Sequence, residues 1–183
     1  MKRKNKTQFV LLGILAQKSS TGYDIKKYID VSMSTFWNES FGQLYPNLKE
    51  LVKQKLATVN VSKTKSKQIQ KTYSITEEGK KLLRIWLNEI DYEMPLVRNE
   101  LLLKLFFSMG IDDTIILNRI QHYKELILKH VEDLQAKARK YRQSSLNSKI
   151  QRNWVLAIDH EIYIAEAQLR WIEQANAMLE RTL

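Results

Sequence analysis

The chain has 183 residues, a formal net charge of +10 and no cysteine. That length fits one domain or two small ones rather than a large multidomain enzyme, and the missing thiols exclude disulfides, thiolate zinc sites, iron–sulfur clusters and cysteine nucleophiles. With only 5 glycines and 2 prolines, a turn-rich β-sandwich or barrel is disfavoured and long helices are expected.

Thr7 is placed to cap a first helix running to Gln17, with a wide apolar face over Phe9–Ala16. Lys18 to Gly22 reads as a turn, and Ser20 or Thr21 as the cap of a second helix whose Ile25, Tyr28 and Ile29 share a face. A polar stretch from Ser34 to Asn38, broken by Phe36 and Trp37, precedes a third helix. Ser40 and Gln43 have the spacing of a capping box. A later start at Gly42 is preferred, because it places Pro46, which lacks an amide hydrogen, in the first turn. At 100° per residue, Leu44, Leu48, Leu51 and Val52 form one face, opposed by Gly42, Gln43, Pro46, Lys49, Glu50 and Lys53.

Residues 57–61 and 69–75 alternate and are rich in β-branched and aromatic types, so two short strands are expected. Between them lies a polar tip with lysines at Lys63, Lys65 and Lys67. Thr76 with Glu77 and Glu78 opens a fourth helix carrying Leu82, Leu83, Trp86 and Ile90. The order helix, helix, helix, hairpin, helix is that of a winged helix-turn-helix domain, with the third helix in the major groove and the hairpin tip near phosphates. Such domains also serve as protein–protein interaction modules. Charge favours DNA: residues 1–93 hold 17 Lys and Arg against 9 Asp and Glu, whereas residues 94–183 hold 13 against 11. The basic excess therefore sits in the first half, where a polyanionic partner is expected.

Residues 11–16, 21–25, Trp37, Ser40, Gly42, 44–46, Leu48, Leu51, 73–76, Gly79 and 86–87 resemble the PadR-like transcriptional regulators. Residues 100–107 and 167–171 are similar to members with a long helical tail. The tip between the strands departs from the Gly-Arg-Pro-like turn common there. The resemblance implies a homodimeric regulator, usually a repressor, that binds a roughly palindromic operator in double-stranded DNA and in some members answers to a small aromatic effector. It carries DNA contacts onto Tyr23, Ser40, Gln43, Tyr45, Pro46, Asn47 and the wing lysines. Gln43 and Asn47 have amides able to read base edges, whereas lysines, including Lys49 and Lys53 from the helical wheel, suit phosphates. Tyr45 has an equal alternative as an aromatic at the edge of the core.

Met94 and Pro95 mark the expected boundary between a DNA-binding domain (residues 1–93) and a helical dimerisation domain (residues 94–183). The overall class is mainly α with a small β-hairpin and a long antiparallel helix pair. Residues 98–107 are apolar on nearly every side, so that helix is expected to be buried between domains or subunits; Gly110 ends it and Asp112 or Asp113 opens the next. Two seven-residue repeats follow, Leu117, Val131 and Ala138 with Ile120, Ile127, Leu134 and Tyr141, then Val155, Ile162 and Leu169 with Ile158, Ala165, Ile172 and Leu179. Asn176 occupies a seam position. Trp154 and Trp171 add apolar surface, and Ile120, Ile127, Leu134, Trp154, Ile158, Ile162, Leu169 and Ile172 are the expected dimer contacts. A monomeric three-helix bundle is the alternative.

The three histidines, His122, His130 and His160, form no metal-binding spacing, and no phosphate loop or nucleophile elbow is present. No cofactor, metal site or enzymatic activity is expected. No membrane span or signal peptide is read, and without cysteines to suggest an oxidising compartment a cytoplasmic setting is the default expectation. Phe106, Phe107, Trp154, Tyr163 and Trp171 are the aromatic residues that an apolar effector pocket beside the DNA-binding half would use.

Overall fold

The computed structural model describes residues 5–63, 69–90, 97–144 and 148–181. The chain divides into two compact units, Met1–Glu93 and Met94–Leu183; Met94 and Pro95 themselves lie outside the described residues.

In the first unit α1 (Lys6–Gln17), β1 (Ser20–Thr21), α2 (Gly22–Ser32), α3 (Phe41–Lys53), β2 (Ala57–Lys63), β3 (Ile69–Ile75) and α4 (Glu77–Leu87) follow in order. Leu11, Leu12, Ile25, Ile29, Leu44, Leu48 and Leu51 are buried together at the centre, with Phe9 and Leu83. The Phe9 and Trp86 rings stack at 4.6 Å, joining α1 to α4. The strands form an antiparallel sheet in the order β1-β3-β2, with Ala57 opposite Ile75 and Lys63 opposite Ile69. The sheet is therefore three-stranded rather than a bare hairpin: Ser20 and Thr21 pair with Tyr73 and Thr72. Two residues are too few to show a period of two, so this strand has no sequence signature.

Helix starts differ in detail from expectation. Asn5, not Thr7, is the N-cap residue of α1. Thr7 lies inside the helix, and its hydroxyl donates to Glu39 Oε1 at 2.7 Å. Thr21 caps α2 in a box with Asp24. Ser40, not Gly42, caps α3, so Pro46 sits inside the helix. The reciprocal bonds of Ser40 and Gln43 satisfy the first amides, which outweighs the single donor that Pro46 cannot supply. The other end of α3 closes in a Schellman motif, Leu56 N to Leu51 O at 2.9 Å and Lys55 N to Val52 O at 3.0 Å. It requires φ of 59° at Lys55. Ile90 does not belong to α4, which ends at Leu87; it is 87% exposed.

In the second unit α5 (Glu100–Phe106), α6 (Asp113–Arg142) and α7 (Ser148–Glu180) follow, with Asp112 capping α6 and Gly110 at φ 82° before it. Helices α6 and α7 pack antiparallel: Arg142 meets Asp159 at 2.9 Å beside the connection. Far from it, Ile116 and Ile120 pack with Ile172 and Leu179. Nearer the connection, Leu134, Ala138, Tyr141 and Ile158 form a second cluster with Trp154 and Ile162.

This packing corrects five of the eight expected dimer contacts. Ile120, Ile127, Leu134, Ile158 and Ile172 are buried within a single chain, and Ile162, Leu169 and Trp154 pack against them. A seven-residue repeat marks a helix–helix seam without saying whose helix supplies the other side. Here the partner is the neighbouring helix. Helix α5 buries no residue within the chain; Leu102, Leu103, Phe106 and Phe107 are all at least half exposed.

Candidate nucleic-acid interface

Helix α3 is amphipathic in the way a groove-reading helix must be. Leu44, Leu48 and Leu51 are buried against α1 and α2, leaving Phe41, Gly42, Gln43, Tyr45, Pro46, Lys49, Glu50 and Lys53 exposed. The loop before it is tied down by Glu39, only 3% exposed, whose Oε1 accepts from Thr7 Oγ1 and from Trp37 Nε1 at 3.0 Å. Its other oxygen is buried with no partner among the described residues. Sequence reasoning missed this anchor, because a glutamate in a polar loop reads as solvated.

The capping box decides what Gln43 can offer. Its Oε1 accepts from the Ser40 amide and hydroxyl, both at 3.1 Å. The acceptor half of the amide is therefore occupied, and the nitrogen is the group presented outward. Ser40 is likewise engaged as the cap, its Oγ accepting from Gln43 N. Asn47 corrects the expectation more strongly. It is half-buried; its Nδ2 donates to Gln43 O at 2.8 Å and its Oδ1 accepts from Asn5. With both ends of the amide used inside the unit, Asn47 braces the helix rather than reading a base.

Tyr45 is 42% exposed and stacks on Phe41, with ring centroids 6.0 Å apart. Its ring also lies directly over Gly22, where an added Cβ would come within 2.6 Å of Tyr45 Cε1. It therefore packs at the edge of the core while part of its ring stays at the surface. Tyr23, at the start of α2, is 65% exposed. A hollow of about 370 Å³ lies beside these residues, with Tyr73 and Lys71 of β3 in its wall. Burial raises the pKa of Tyr73, and the nearby Tyr45 adds to the shift. Asp24 is held below its ordinary value chiefly by the Thr21 hydroxyl. Lys71 was not among the expected contacts; strand periodicity says nothing about which exposed lysine faces the helix. Along β2 every residue beyond Ala57 is exposed, including Lys63. Lys65 and Lys67 lie outside the described residues.

Residues 11–85 match the model of the Transcriptional regulator PadR-like family, and residues 97–180 match that of the Virulence activator alpha C-term. The Negative transcriptional regulator PadR of Bacillus subtilis (strain 168) is 31% identical over 100 residues. Over residues 11–85 the chain is similar to the PadR-like family of transcriptional regulators. That alignment covers 55% of each protein, so it spans about half the length of the curated relative. Bacillus subtilis PadR in complex with operator DNA has a TM-score of 0.88 at 23% identity, covering 97% of this chain and 99% of that one. The same protein in complex with p-coumaric acid gives 0.81 at 24% identity, with 94% and 98% covered. The PadR-like transcriptional regulator BC1756 from Bacillus cereus gives 0.76 at 26% identity, with 97% and 99% covered. These likenesses establish the shared winged-helix fold.

In the second unit the five aromatics expected at an effector pocket do not converge. Trp154 packs edge-on against Tyr141 at 4.6 Å, whereas Trp171 joins the other cluster. Phe106, Phe107 and Tyr163 are 79%, 70% and 69% exposed. Helical spacing brought each to a face, but to faces of different clusters. A hollow of about 580 Å³ in this unit is lined instead by Val97, Arg98, Lys104, Arg119, His122 and Tyr123 among others. Lys104 is paired with Glu100 at 2.7 Å. No group of His, Asp and Glu among the described residues suits a metal ion, and no described helix is long and apolar enough to cross a membrane.

Proposed function

We propose that the chain is a cytoplasmic transcriptional regulator that binds a palindromic operator sequence-specifically as a homodimer and represses by occupying it. The observation that carries this reading is α3: a buried leucine face, and an outward face of Gln43, Pro46, Lys49 and Lys53 that is open from its first turn onward. The basic excess of the first 93 residues supports a polyanionic partner. Two copies are needed because one recognition helix spans only a half-site; a twofold axis sets two helices about one DNA turn apart. The exposed apolar side chains of α5 supply surface for that pairing, in place of the seam residues.

Selection of bound duplexes from random DNA, followed by titration over a range of salt, tests the reading. Affinity falls steeply with salt as phosphate counterions are released, with a log–log slope of about −0.9 per phosphate contact. Replacing Lys63, Lys65 and Lys67 with Ala flattens that slope and weakens all sequences alike. Salt-independent binding, or none at low ionic strength, would leave the winged helix as a protein-interaction module.

The 580 Å³ hollow favours a small aromatic acid as effector. Arg98 and Arg119 have no carboxylate partner among the described residues, while Tyr123 and Leu126 supply apolar wall. Bacillus subtilis PadR has been solved with p-coumaric acid. Calorimetric titration with p-coumaric acid should show binding that Arg119→Ala weakens at least tenfold; equal affinity in the variant removes this hollow from the model.

A further inference from the structure

The first turn of α3 contains an aromatic side chain that the reading above leaves without a task. Phe41 is the first residue of the helix and is 44% exposed. One contact holds it outward. Its ring stacks on Tyr45 at an interplanar angle of 17°, and Tyr45 is itself seated over Gly22 at the start of α2.

The surroundings of Phe41 offer little else that reads sequence. Gln43 has spent its carbonyl oxygen on Ser40, so it donates but cannot make the two-point donor and acceptor pair with adenine. Asn47 is engaged at both ends. Gly42 has no side chain, and a Cβ there would meet only Ser40 Oγ at 3.7 Å, so the helix backbone can approach a groove floor closely. Pro46 brings no donor. In a major groove the feature that an apolar ring recognises is the C5-methyl group of thymine.

We propose that Phe41 is a specificity-determining residue that contacts the C5-methyl of one thymine in each operator half-site. The proposal rests on the DNA-binding reading and refines it: a donor from Gln43 and a methyl contact from Phe41 together define part of the half-site.

The test replaces each thymine of a selected operator, one at a time, by deoxyuridine, which differs only in lacking the methyl. Binding of the full-length protein is measured at fixed salt. One position per half-site should weaken binding about fourfold, the worth of one buried methyl. Phe41→Ala should bind the unmodified operator more weakly and lose that discrimination, while Phe41→Leu, still apolar, should keep part of it. The proposal is overturned if no deoxyuridine substitution weakens the wild type, or if Phe41→Ala discriminates as well as wild type does. Failure of the DNA-binding reading looks different: the unmodified duplex is then not bound at all.

Discussion

A methyl group added at Gly79 should unfold the first unit far more readily than one added at Gly22, although both glycines are buried helix residues. Neither has a positive φ, so backbone conformation is not the reason; what a Cβ would meet is. At Gly79 it would come within 2.2 Å of the Leu56 carbonyl oxygen and 3.1 Å of its carbon. Backbone cannot swing aside as a side-chain tip does, so α4 must lift from the segment that enters β2. That movement breaks Thr76 N to Leu56 O at 3.1 Å and Thr76 Oγ1 to Lys55 O at 2.8 Å. Two hydrogen bonds at about 1 kcal/mol each and overpacking of about 1–3 kcal/mol oppose a helix-propensity gain of about 1 kcal/mol, for a net loss of roughly 2–4 kcal/mol. Such a loss lowers the Tm of a unit this size by about 10–25 °C. Scanning calorimetry of Gly79→Ala and wild type measures it, with Trp37 and Trp86 fluorescence as a reporter within the unit. At Gly22 the obstacle is the Tyr45 ring, which can move, so Gly22→Ala should cost under about 1 kcal/mol while weakening operator binding through the displaced Tyr45 and Phe41. A Gly79→Ala variant melting within 2 °C or so of wild type, on that same size scaling, would refute the steric argument.

Other perturbations have equally definite outcomes. Leu134→Ala opens a cavity at a fully buried position of the α6–α7 seam and should cost about 2–5 kcal/mol by urea denaturation; a loss near zero would mean the seam is filled differently. Lys55→Gly removes a side chain from a left-handed Schellman position and should stabilise the first unit by roughly 0.5–1 kcal/mol; destabilisation would show that the lysine makes a compensating contact. Because the Thr21 hydroxyl lowers the folded-state pKa of Asp24, the associated stability is present above the unfolded value of 3.8 and fades as pH falls through the depressed one. Thr21→Ala should return the Asp24 pKa towards 3.8 when followed by NMR, and an unmoved titration would show that another group holds it down.

Features set by neighbouring residues were legible in the chain. Thr76 before two glutamates and Asp112 mark helix starts through bonds reaching only two to four residues, and the Ser40 and Gln43 pair caps α3 although the position of Pro46 favoured a start at Gly42; Gly110 does not end α5, which stops at Phe106. Strand limits were also close, since β2 extends the predicted 57–61 only to Lys63 and β3 matches 69–75. Features that need a distant partner were not. Asn47 reads as a free amide until Asn5, 42 residues away, accounts for its oxygen. Glu39 reads as solvated until Thr7 and Trp37 enclose it.

By itself, then, the order of residues determined the sequence of helices and strands, the basic character of the first half and the leucine face of α3, because periodicity and capping are short-range effects. Only tertiary structure decided which outward groups of α3 are free, that the heptad seam closes within one chain, and that the effector aromatics disperse. Those outcomes depend on which surfaces meet, and surfaces far apart in the chain meet only once the whole unit has packed.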